Sequence, residues 1–111
     1  MTSIMIDMLD IEVQVFVGLD EYPKFQKVCK RDGDKTISVH PKTDKCIAGR
    51  NYGSNLWFRK ISKTPKGIGN IVHECVHAVK EIMNYMGLED EEVKAYMTEY
   101  LVVQILKRKH E

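Results

Sequence analysis

The chain is short of the features that usually place a protein at once. Cysteine is scarce and odd in number: Cys29, Cys46 and Cys75 are irregularly spaced and form no CxxC pair. A disulfide framework is therefore not expected, and reduced thiols are. Long apolar runs are missing, and Asp7, Asp10 and Glu12 interrupt the apolar N-terminal stretch, so neither a signal peptide nor a membrane span is expected. Charge of one sign is missing too. Seventeen Lys and Arg against 16 Asp and Glu leave a net charge of +1, which argues against nucleic acid as the main partner. The basic runs 24–31 and 107–109 are local, and the second suits the negative end of a helix. There is no internal repeat and no low-complexity segment. A chain of 111 residues reads as one domain, long enough for a single core without staples. The expected compartment is the cytoplasm.

What is present is ordered: strand-like segments first, helix-like segments last. Ile11 to Val17 (IEVQVFV) alternates and is rich in β-branched residues, so it reads as a strand, with Ile4 to Leu9 as a candidate extension. Glu21 to Arg31 is charged and ambiguous, compatible with a short helix that has Pro23 near its start. Asp32-Gly33-Asp34 signals a turn, Thr36 to Val39 a short strand, Pro41 to Lys45 another turn, and Cys46 to Gly49 a further strand candidate. Asn51 to Asn55 breaks the chain before Leu56 to Ile61, a convincing strand. The expected fold is α+β: a small, mostly antiparallel sheet packed against two long C-terminal helices, with residues 1–62 rich in sheet and helices over 64–87 and 90–108.

The first of those helices is well bounded. Thr64-Pro65 reads as an N-cap followed by proline at the first helical position. Gly87 reads as the residue just past the end, able to take the left-handed conformation of a cap. Gly67 and Gly69 lie in the first turns and weaken that end. At about 100° per residue, Ile71, Ile82, Cys75, Met86, Ile68, Val79, Val72, Met83 and Val76 fill one arc. His73, Asn84, His77, Asn70, Glu81 and Glu74 fill the opposite one. Cys75 falls in the apolar arc and reads as packing.

The polar arc carries His73-Glu74-Cys75-Val76-His77, an HExxH pattern. Residues four apart on a helix lie one above the other, so the two histidines can grip one metal ion. Glu74 projects nearby, where it can take a proton from a water. A shuffled chain of this composition carries the pattern about once in a hundred, so the helix around it matters as much as the motif. Catalytic zinc usually has three protein ligands. His40 lies far upstream and His110 in the tail, whereas the acidic cluster Glu89-Asp90-Glu91-Glu92 opens the second helix after a tight turn. Those acids also suit a helix N-terminus. Helical position alone leaves Glu91 and Glu92 both open as the third ligand.

HExxH followed by Glu92-Val93-Lys94-Ala95-Tyr96 resembles the gluzincin branch of zinc peptidases, in particular the very small phage- and prokaryote-encoded minigluzincins. The likeness covers residues 54–106. It implies Zn²⁺ held by His73, His77 and Glu92, with Glu74 as general base and a protein or peptide as substrate; a phage-encoded member would work in the host cytoplasm. Many gluzincins carry an Asp four residues after the ligand Glu, where this chain has Tyr96. Tyr96 reads either as a core residue or as a catalytic one that supports the site or a developing oxyanion. In peptidases of this type the strand before the HExxH helix usually borders the cleft and pairs with substrate, and Leu56 to Ile61 is the candidate. Trp57 in it reads as core, and Arg59 as exposed. The rival reading is a non-enzymatic binding module on the same fold, such as a phage factor that engages a host protein. The sequence leaves the oligomeric state open.

Overall fold

In a computed structural model of the chain, the described residues are 1–33 and 48–108. Their order is β1 (Thr2–Ile6), a 3-10 turn (Asp7–Leu9), β2 (Ile11–Val17), α1 (Tyr22–Arg31), β3 (Gly49–Tyr52), β4 (Asn55–Phe58), α2 (Pro65–Met86) and α3 (Glu91–Lys107). The α+β class and the two long C-terminal helices are as expected. The stretch before β2 is not an extension of it. It forms a separate strand that folds back antiparallel, pairing Thr2 with Val15 and Ile6 with Ile11. Asp10 makes that reversal in the left-handed region, at φ 52°, a conformation a short polar side chain tolerates.

The sheet runs β1-β2-β4-β3. Two of its pairings are antiparallel, and the central one, β2 with β4, is parallel from Gln14↔Asn55 to Val17↔Phe58. β4 is therefore an interior strand, with all four residues buried, and β1 and β3 are the two edges among the described residues. The expected edge at Leu56 to Ile61 is thus corrected. A strand buried on both faces loses the polar alternation that marks an edge. The expected break at Asn51 to Asn55 narrows to Gly53-Ser54, the turn of the β3–β4 hairpin. The expected strand and turn at Thr36 to Val39 and Pro41 to Lys45 lie outside the described residues, as do Cys46, His40 and His110.

Both faces of the sheet are covered. On one, Ile4, Ile6, Val13, Val15, Leu56 and Phe58 meet α2 through Ile71, Cys75, Val79 and Ile82, and α3 through Met97, Leu101 and Ile105. On the other, Phe16 and Trp57 meet Tyr22, Phe25 and Cys29 of α1. Those α1 residues sit at i, i+3 and i+7, one face of a helix, with Pro23 in the first turn. Trp57 is fully buried. Its ring stands edge-on to Tyr22 at 4.9 Å, and its Nε1–H donates to the Gly18 carbonyl at 2.6 Å. A buried indole without that partner would strand a donor.

Removing this side chain empties the α1 layer. Trp57→Ala is expected to cost about 3–5 kcal/mol, read as a lower urea midpoint with α1 the first element to lose amide protection; a change under about 1 kcal/mol would contradict the packing described.

Candidate metal centre

The local sequence fixes α2 firmly at both ends. The Thr64 hydroxyl accepts from the Gly67 N–H at 3.1 Å, and Pro65 opens the helix. At the far end Gly87 takes φ 70°. The Gly87 and Leu88 amides bond back to Asn84 O and Met83 O at 3.2 and 2.9 Å, a Schellman closure. The helix between is 22 residues long, and its inward face is set by Ile71, Cys75, Ala78, Val79 and Ile82. The histidines must then face outward. Both are exposed, and His73 Nε2 and His77 Nε2 lie 3.2 Å apart. Their rings stand nearly perpendicular, at 78° with centroids 4.7 Å apart.

Glu74 departs from the arc expected for it. Its side chain turns into the protein and is only 7 % exposed. It lies at the border of the polar arc, where β3 closes over it. Gly49 of β3 is the reason the strand can come so near: a Cβ there would stand 3.0 Å from Glu74 Cγ and 3.3 Å from the Trp57 carbonyl. Asn70, one turn before Glu74 on the same side of α2, donates to the Ala48 carbonyl at 3.3 Å and ties the strand to the helix. Glu74 Oε1 is 4.0 Å from His73 Nε2, while Oε2 is buried with no hydrogen-bond partner. Burial pushes this carboxyl above its ordinary value, and the charges of His73, His77 and Arg50 pull the other way. A buried carboxylate with an unanswered oxygen is costly unless a ligand or water answers it.

His73, Glu74 and His77 form a group that can hold a metal ion: one ligand atom from each lies within 4.8 Å of the others. The donor chemistry fits. Two imidazole nitrogens bound at 2.0–2.1 Å to one tetrahedral ion stand about 3.3 Å apart, close to the separation of the two Nε2 atoms.

Glu92 stands elsewhere. It is exposed in the first turn of α3, its N–H accepted by the Asp90 side chain at 2.8 Å, and it is not in the group. The distance is built into the hairpin. After His77, α2 continues for about 15 Å before its cap, and α3 has only begun its return at Glu92. Glu91 is exposed in that same turn. Tyr96 is 67 % exposed, so its reading as a core residue is corrected: the buried positions of α3 are Met97, Leu101 and Ile105. On α2 likewise, Val72, Val76 and Met86, expected in the apolar arc, are substantially exposed.

Two clefts meet at His77. One of about 320 Å³ lies between α1, β3 and α2, lined by Tyr22, Phe25, Arg50, Tyr52 and Glu74 among others. The second, about 810 Å³, runs over the β3–β4 turn toward Asp32, Glu81 and Tyr85. His77, Asn51 and Tyr52 line both. Sequence reading missed the part played by β3. Its polar Arg-Asn-Tyr looks like a loop, and the one usable signal was Gly49 at the end of the strand candidate Cys46 to Gly49.

The comparisons with known proteins gave no match: no family model, no curated protein and no solved structure is similar to this chain. No helix among the described residues is long and apolar enough to cross a membrane.

Gly49→Ala is expected to push β3 off α2, costing about 1–3 kcal/mol, and to weaken metal binding at the histidines; unchanged stability and unchanged metal titration would contradict the close approach. Cys75 is fully buried, and burial, then the Glu74 charge, push its thiol up to about 12. It should stay unalkylated by iodoacetamide at about pH 8 until the protein unfolds, which peptide mass spectrometry reads directly.

Proposed function

We propose that the chain is a zinc-dependent hydrolase that cleaves a peptide bond in a protein or peptide substrate. The observation that carries this reading is the pairing of two exposed imidazoles, Nε2 atoms 3.2 Å apart, with a buried carboxylate whose Oε2 has no partner, at the junction of two clefts. A bound zinc ion supplies Lewis acidity there, polarising a carbonyl and acidifying water. His73 and His77 would hold the ion through their paired imidazoles. Glu74 receives the proton of the attacking water on its carboxylate and returns it to the leaving amine. Its burial beneath β3 holds the carboxyl in place beside the histidines, and the two clefts that meet at His77 give an extended chain room to lie across the site.

In the gluzincin-like reading Glu92 completes the ligand set, and its exposed position means that the start of α3 must close toward His77 to do so. That same position favours the second reading, a metal-bearing binding module without catalysis, since a zinc ion held by few protein ligands needs another group to finish its shell.

Elemental analysis separates these readings. Wild type is expected to retain about one zinc per chain and His77→Ala none. Loss in Glu92→Ala would assign Glu92 as third ligand; retention there together with loss in Glu74→Gln would make Glu74 a ligand instead of the base. Glu74→Gln is otherwise expected to keep its zinc and to lose at least about 100-fold in peptide hydrolysis. Zinc-loaded wild type that cleaves no peptide of a broad library supports the binding module, and wild type that takes up no zinc refutes both.

A further inference from the structure

Helix α3 carries an apolar stripe on its outer side that the fold leaves uncovered. Val93, Tyr96, Tyr100 and Val103 are 37, 67, 40 and 44 % exposed. Their spacing is 3, 4, 3, the seam of two heptads, and it lies beside the buried row Met97, Leu101 and Ile105, not within it. The stripe is a palindrome about Thr98. Val93 and Val103 are each five residues from that centre, and Tyr96 and Tyr100 are each two. Turned end over end, the stripe matches itself.

The charges obey the same symmetry with opposite signs. Glu89, Asp90, Glu91 and Glu92 stand exposed at the start of α3, and Lys107 and Arg108 stand exposed at its end. Glu89 and Lys107 are each nine residues from Thr98. Among the described residues none of these six takes part in an ion pair. Tyr100 is prepared for burial, because its hydroxyl already donates to the Met5 carbonyl at 3.0 Å, and covering its ring would strand no polar atom.

From these observations we infer that α3 is a homodimerisation surface, on which two copies of the chain pair antiparallel about a two-fold axis at Thr98. Val93 then meets the partner's Val103 and Tyr96 the partner's Tyr100, while the acidic start of each helix lies against the basic end of the other. Such a surface is isologous, and the helix dipoles oppose. A single pair of helices buries little area, so the dimer belongs to the weak class and forms at micromolar concentrations or above. This interface does not depend on the metal centre.

Sedimentation velocity over a concentration series tests it. Wild type is expected to shift from monomer to dimer with rising concentration, and Val103→Glu to raise the dissociation constant at least about tenfold. Lys107→Glu sets acid against acid at both ends of the seam, and Glu89→Lys sets base against base. Each variant alone should therefore be monomeric, while an equimolar mixture of the two should dimerise, since both ends are then complementary. A parallel pair would already set acid against acid and base against base in the wild type, so a wild-type dimer lost in each variant and restored in the mixture marks the antiparallel register. Wild type that stays monomeric up to about millimolar concentration would overturn the inference and leave the stripe to another partner. A dimer indifferent to Val103→Glu, or a mixture that stays monomeric, would overturn it as well. Circular dichroism of each variant confirms that the fold is intact.

Discussion

The contact of α2 with the sheet governs the rest of the structure. Ile71, Cys75, Val79 and Ile82 lie against Val13, Val15, Leu56 and Phe58, and the helix cannot rotate without exposing that row. This fixes the azimuth of every other residue on α2. The two histidines face water, Asn70 reaches β3, and Glu74 falls at the boundary, where it is drawn inside. The carboxylate is not buried because it favours burial. The apolar row of α2 against the sheet and the close approach of β3 at Gly49 hold the backbone where the side chain has nowhere else to go. Local conflict of this kind, tolerated by an otherwise consistent fold, is where functional positions are expected.

Much of this was legible in the amino-acid order. β2 and α2 were read at their observed limits, because strict alternation and a capped amphipathic arc are strong signals. The α+β class followed from the order of segments. Other features were not legible for physical reasons. Periodicity reports which residues face a core but not which strands are neighbours, so the parallel pairing of β2 with β4 gave no sign in either segment. It also moved the edge from Leu56–Ile61 to Gly49–Tyr52. The third layer, α1, was hidden by lysines interleaved with Tyr22, Phe25 and Cys29. The HExxH spacing was read correctly as a helix face, yet a wheel drawn at 100° per residue cannot say that a strand will roof over Glu74. Glu92 was a choice by resemblance, and resemblance carries no distances.

The site's strand is held by an unusual economy of means. β3 is four residues long, and it stays beside the helix through its ladder with β4, the Asn70 hydrogen bond and the absence of a side chain at Gly49. One cleft runs along the whole strand and the other over its hairpin turn, so Asn51 and Tyr52 form a partition between them, with His77 lining both. The electrostatic character differs across the partition, with Arg50 and Lys30 along one cleft and Asp32 and Glu81 along the other. A ligand that lay across the partition would feel opposite potentials at its two ends.

The bond from Tyr100 to the Met5 carbonyl has a consequence for how large an assembly of this chain can grow. β1 is an edge strand, and exposed edges invite further strands without limit. Here a phenol from α3 occupies an outward carbonyl of that edge and stands in the path of an incoming chain. The same helix that offers a self-matching stripe thus obstructs the route by which sheets extend. Association through α3 closes on itself after two copies, and the neighbouring sheet edge is kept from turning a pair into a ribbon.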